Sequence, residues 1–178
     1  MAEFIPFDPQ VEVKGEIILT YVNALPYYQS MIQTVLYRYG IKHLFPDSWY
    51  LQRDWLNAFR ELSLMYGSHA LFLIGKAIAK PSNKKSLKEA LEEIDSAYHM
   101  CHRNGEIGYY KLTMMDHGQR MATMECQNPY PSYFDMGMII STARFHKSSP
   151  SDVIEIQRDE SKPSRLLGDD SCTYILKW

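Results

Sequence analysis

Apolar residues along the chain first recur with a helical period. Ile17, Ile18, Tyr21, Val22 and Leu25 fall on one face between residues 14 and 25. Pro26 suits the first turn of a second helix, and Gly40 suits its C-terminal stop. Phe45-Pro46-Asp47-Ser48 reads as a loop, with Asp47 or Ser48 as the next N-cap. Helical spacing returns at Trp49: Leu51, Trp55, Phe59, Leu62 and Tyr66 form one stripe, which Gly67 ends. Ser68 caps a further helix through Ala79, apolar nearly all round and therefore central, and Pro81 stops it. After a loop from Pro81 to Lys85, Ser86 and Glu89 form a capping box. The helix they open has the stripe Leu87, Ala90, Leu91, Ile94, Tyr98 and Cys101, and Asn104-Gly105 closes it.

The period then changes from helix to strand. Ile107 to Met115 alternates, with Tyr110, Leu112 and Met114 on one face. Asp116-His117-Gly118-Gln119 is a hairpin turn, and Arg120 to Gln127 alternates again with Ala122, Met124 and Cys126 on one face. Asn128-Pro129-Tyr130-Pro131 breaks the strand. A helix follows to about Lys147, with Phe134, Met138, Ser141 and Phe145 on its stripe. Gly137 and Ser141 keep that helix face small, which permits close approach of the sheet or of a ligand. Ser148 to Ser151 is a loop, Val153 to Arg158 a strand, Asp159 to Asp170 a polar connection, and Cys172 to Trp178 a last strand. The order predicts an α+β fold: N-terminal helices packed on a roughly four-stranded antiparallel sheet made of a hairpin, a helix and two closing strands. Residues 1–178 read as a single domain, without internal repeat, low-complexity tract or linker.

Composition narrows the function classes. The chain is 46% hydrophobic and 22% charged, as a globular protein should be, and its net charge of −2 argues against a general nucleic-acid binder. Met1 to Gln10 lacks the basic start and continuous apolar stretch of a signal peptide, and no run approaches the ~20 apolar residues that span a bilayer. Three widely separated cysteines do not make a disulfide framework, so the expected compartment is the reducing cytoplasm. Thirteen Tyr, 10 Met and 7 Phe supply either an aromatic core or the adaptable lining of an apolar pocket.

No enzyme signature is complete: the dinucleotide, P-loop, zincin and nucleophile-elbow motifs are all absent. Glu92-Glu93 reads as surface charge and Asp169-Asp170 as a turn. Cys126 ends one strand and Cys172 begins another, so an antiparallel sheet can bring them together; without a C-x-x-C pair a zinc site is not expected. Near the end of the fifth helix, His102 falls about 70° from the centre of the apolar stripe and His99 about 130°. His102 therefore reaches a pocket edge, where a neutral imidazole can ligate a metal or haem iron, while His99 faces solvent.

The order of elements resembles a superfamily containing the haem nitric-oxide/oxygen-binding (H-NOX) domains, the 4-vinyl reductase domains and the Bet-type subunits of the TRAPP transport complex. The resemblance runs from about Lys14 to Trp178. Its 4-vinyl reductase side rests on Gly168-Asp-Asp-Ser-Cys172-Thr-Tyr-Ile-Leu, similar to the closing strand of those domains, whose cysteines are associated with a metal. Cys126 and Cys172 fit two of these; the third, expected between Arg158 and Glu160, is missing. The H-NOX side implies a helix histidine on haem iron and, about thirty residues later, a Tyr-x-Ser-x-Arg motif on the propionates. His102, Tyr130 and Ser132 match, and Phe134 stands where arginine is required, so the bidentate carboxylate clamp is lost.

The leading expectation is a non-enzymatic sensor or adaptor, closest to the 4-vinyl reductase type. It would hold an apolar small molecule (a lipid, haem or another tetrapyrrole) in a pocket lined by Tyr98, Met114, Met124, Tyr130, Phe134, Met138 and Phe145. Output would pass through a homodimer or a protein partner. The alternatives are a haem-binding gas sensor using His102, a structural interaction module, and a tetrapyrrole-modifying enzyme.

Overall fold

Gly67 adopts φ 73° and ψ 179°, a setting that side-chain-bearing residues avoid, and it breaks the longest helical run in two where the residue spacing predicts. The computed structural model describes residues 3–81, 83–84, 86–146 and 153–178. In chain order the elements are β1 (Glu12–Lys14), α1 (Gly15–Ala24), a 3-10 turn (Pro26–Tyr28), α2 (Gln29–Arg38), β2 (Trp49–Leu51) and α3 (Gln52–Ile78, kinked at Gly67). There follow α4 (Leu87–Met100), β3 (His102–Arg103), β4 (Tyr109–Asp116), β5 (Met121–Gln127), α5 (Ser132–Phe145), β6 (Glu155–Arg158) and β7 (Cys172–Lys177). The expected loop positions Ser82, Lys85 and Ser148 to Ser151, the helix end at Lys147, and Met1-Ala2 lie outside the described residues.

The Ser86 hydroxyl caps α4 by accepting the Glu89 N–H at 3.2 Å. The fold class is the one expected. Strands β4, β5, β7 and β6 form a four-stranded antiparallel sheet in that order. A second, three-stranded sheet, β2-β1-β3, ties the N-terminus to the end of α4 and has no counterpart in the sequence reading. Helix α5 packs on β6 and β7, α4 packs on β4, and α3 covers α5. Being covered on both sides, α5 is buried nearly all round, from Ser132 to Ala143. Its stripe ends early, because Phe145 is 47% exposed.

Gly137 serves neither sheet nor ligand. A Cβ there would lie 2.1 Å from the Phe72 carbonyl oxygen of α3, and one on Gly75 would lie 2.0 Å from the Phe134 carbonyl oxygen of α5. The two helices therefore meet backbone to backbone at a reciprocal pair of glycines. In β4 the pairing register shifts between Leu112, opposite Met124, and Met114, opposite Thr123. This bulge moves the core-facing position from Met114 to Met115, which pairs with the fully buried Ala122. No helix among the described residues is long and apolar enough to cross a membrane.

Candidate functional site

A cleft of about 560 Å³ opens between α1, the C-terminal end of α3, α4 and α5. That volume is in the range of small-molecule sites. The predicted Tyr98, Tyr130, Phe134 and Met138 line it together with Ile17, Ile94, Ala97, Cys101, His102 and Tyr110. Three other predicted lining residues do not reach it. Met124 is wholly enclosed in the sheet core, Met114 is turned off the core face by the bulge, and Phe145 is exposed at the far end of α5.

His102 lines the cleft. Helix α4 stops at Met100, and the chain turns His102 into β3 opposite Val13, so the imidazole is 7% exposed rather than at a helix edge. Its Nδ1 lies 2.8 Å from the Tyr98 carbonyl oxygen, which can only accept; the proton is therefore on Nδ1 and the lone pair on Nε2. Burial lowers the His102 pKa to about 4, which keeps the ring neutral at physiological pH. This is the tautomer a metal-ligating histidine needs. The Nε2 lone pair accepts the Tyr130 hydroxyl proton at 2.8 Å. His99 is exposed, its Nδ1 2.9 Å from the Asp95 carbonyl oxygen.

The loop that carries Tyr130 is held from below by a residue the sequence reading left in a polar connection. Arg165 is 2% exposed. Its guanidinium donates to the Asn128 carbonyl, the Asn128 side-chain oxygen, the Tyr130 carbonyl, the Tyr174 hydroxyl and the Asp135 carboxylate. Asp135, fully buried, also accepts the Tyr110 hydroxyl at 2.7 Å. Burial raises the Asp135 carboxyl above its ordinary range, and the Arg165 charge opposes that rise. The signal that points to this pair is an acid inside an otherwise uncharged, apolar stretch of helix, Phe134-Asp135-Met136-Gly137.

Ser132 opens α5, its hydroxyl 2.9 Å from the Tyr174 hydroxyl and its N–H donating to the Glu3 carboxylate at 2.6 Å. Among the described residues no arginine lines the cleft: Arg165 is committed to Asp135 and the 128–130 backbone, and Phe134 stands where the H-NOX resemblance expects an arginine. The cations in the lining are at its mouth, Lys80 on Glu16 at 2.8 Å and Lys84 near Glu93 at 3.4 Å. Cys126 and Cys172 are register partners on β5 and β7, both as free thiols. The Cys172 sulfur accepts the Arg165 N–H at 3.3 Å. Burial works against its ionisation, yet the Arg165 charge and N–H bring its pKa below the usual thiol value. Among the described residues no group of three or more His, Cys, Asp or Glu could hold a metal ion.

No protein-family model matches the sequence, and no curated relative matches it. Solved structures do. The Fe(II) unliganded H-NOX protein from K. algicida gives a TM-score of 0.65 at 14% identity, over 92% of this chain and 95% of that one. An H-NOX structure concerned with the function of haem distortion in that family gives 0.66 at 15% identity, over 93% and 94%. A Cs H-NOX mutant carrying 4-cyano-L-phenylalanine gives 0.67 at 14% identity, over 92% and 95%. With TM-scores of 0.65 to 0.67 over nearly the whole length of each neighbour, the chain has the H-NOX fold.

Proposed function

We propose that this chain is a non-enzymatic sensor domain that binds haem in the cleft, where His102 would hold the iron. One observation carries the reading: a buried, neutral imidazole whose tautomer is set by the Tyr98 carbonyl, lining an aromatic cleft of about 560 Å³ with its Nε2 held by the Tyr130 hydroxyl alone among the described residues. When bound, haem supplies an iron centre that takes a diatomic ligand. The chain supplies the rest. Tyr98, Phe134 and Met138 enclose the apolar body. In place of the absent arginine, Lys80 and Lys84 at the mouth receive the carboxylates as point charges, exchanging them for Glu16 and Glu93. The signal leaves through a protein partner or a second copy of the chain.

A second reading has its own support. The Nε2 lone pair is already used by Tyr130, and Phe134 leaves the inner end of the cleft without a cation. An apolar molecule without a metal, such as a fatty acyl chain, fits those facts. The closing strand's 4-vinyl reductase-like pattern belongs to this reading, although here Cys172 has a structural task in accepting the Arg165 N–H.

Native mass spectrometry and an absorption spectrum of the freshly purified protein test the choice. Haem binding predicts excess mass with a Soret band that His102→Ala removes. Excess mass without colour establishes the second reading, and a Soret band unchanged in His102→Ala overturns the role of His102.

A further inference from the structure

Behind the cleft lie three side chains with polar atoms that lack a hydrogen-bond partner among the described residues. They are Gln52 through both amide atoms, Trp55 through Nε1 and Tyr21 through its hydroxyl. Each is at most 1% exposed. Buried polar groups are nearly always paired, so the three such atoms that Gln52 and Trp55 hold on one turn of α3 need a reason. Gln52 and Trp55 are on one turn of α3, and the Tyr21 ring meets that of Trp55 edge-on at 4.8 Å. Gln52 and Trp55 both stand beside the Tyr130 hydroxyl, close enough to favour its ionised form against the larger effect of burial. None of the three lines the cleft. Tyr130 thus has two sets of polar neighbours: its O–H goes to His102, and the Gln52–Trp55 niche, which also borders the Tyr98 hydroxyl, stands by its oxygen.

We propose that Tyr130 is the gate of the His102 site, and that the Gln52–Trp55 niche receives its hydroxyl when a ligand metal takes the Nε2 lone pair. This deepens the haem reading and rests on it. One lone pair cannot serve a metal and the Tyr130 O–H together. A tyrosine hydroxyl released at this depth needs new partners, because water is excluded. The niche has them: Gln52 Oε1 can accept the proton, and Gln52 Nε2 and Trp55 Nε1–H can donate to the oxygen. The arrangement also sets specificity. A ligand that brings a metal replaces the hydrogen bond it breaks with a coordinate bond. A metal-free ligand of the same shape has nothing to offer Nε2 and leaves Tyr130 in place.

The test uses the full chain and two probes, haem and metal-free protoporphyrin. In the ligand-free protein, Tyr130→Phe should move the His102 Nε2 nitrogen resonance towards its non-hydrogen-bonded position; an unmoved resonance overturns the gate whatever the titrations show. Gln52→Leu should weaken haem about tenfold, one hydrogen bond's worth, and leave protoporphyrin unchanged. In a Tyr130→Phe background the same substitution should have no effect on haem, because no hydroxyl remains to be housed. An equal effect in both backgrounds, or on both porphyrins, overturns the gate and makes Gln52 a packing residue; Gln52→Met repeats the test with a different shape. Haem bound through His102 but indifferent to Gln52 overturns the gate alone. Haem bound by none of the proteins overturns the haem reading, and the gate with it.

Discussion

Removing the Arg165 guanidinium should unfold the protein more readily than any other single polar change. In Arg165→Met the Asp135 carboxylate stays fully buried, keeping the Tyr110 hydroxyl at 2.7 Å but losing its charge partner. The Asn128 and Tyr130 carbonyls lose their donor at the same time. Breaking a buried ion pair from one side costs about 3–5 kcal/mol, mostly through the uncompensated charge. For a 178-residue chain each kcal/mol shifts Tm by about 2–4 °C, so the midpoint should fall by about 6–20 °C. Urea unfolding followed by far-UV circular dichroism measures the same quantity independently. The control is the double variant Arg165→Met with Asp135→Leu. Replacing both members of a buried pair with apolar groups is commonly neutral or stabilising, so most of the lost stability should return. A single variant costing less than about 1 kcal/mol would refute a desolvated pair. A double variant costing the sum of the two singles would refute their coupling.

Two further outcomes follow from the same structure. The folded pKa of His102 lies at about 4, below its unfolded value of 6.5, so the unfolded chain binds the extra proton between them. Stability should therefore fall as pH drops from 6.5 towards 4, by at most about 1.4 kcal/mol per unit from this residue. His102→Gln should remove that component, and parallel pH profiles for both proteins would contradict a neutral buried imidazole. Gly137→Ala must push α3 off α5, because the new Cβ meets a backbone oxygen 2.1 Å away. A loss of about 3 kcal/mol or failure to fold is expected, and thermal melting at unchanged Tm would show that the helices are not in backbone contact.

How far the sequence leads depends on whether a residue's neighbours are local. The stripes of α1, α4 and the Trp49–Tyr66 run are legible because helical burial repeats every few residues, and the hairpin because alternation and turn chemistry coincide. Strands of two or three residues have no period to read, so β1, β2 and β3 were invisible, and with them the pairing of Val13 and His102 that buries the imidazole. The Met114 position failed for a related reason. Alternation assumes an unbroken register, and one bulge reverses it for the rest of the strand. Arg165 was hidden more thoroughly. A polar connection reads as solvated, and only the acid on α5 thirty residues earlier makes a buried guanidinium tolerable. His102 could be found from its place on the helix stripe, and Tyr130 and Ser132 from the H-NOX resemblance, yet neither says what Nε2 is bonded to. That bond decides the chemistry. A histidine free at Nε2 would take any suitable metal that entered, whereas one held by Tyr130 yields only to a ligand able to outbid a hydrogen bond. On the proposed haem reading, Phe134 in place of arginine would move the charged contacts to Lys80 and Lys84, so His102 would select for the metal and the lysines for the anion. A molecule that had to satisfy both His102 and the lysines would pass a stricter filter than apolar volume alone.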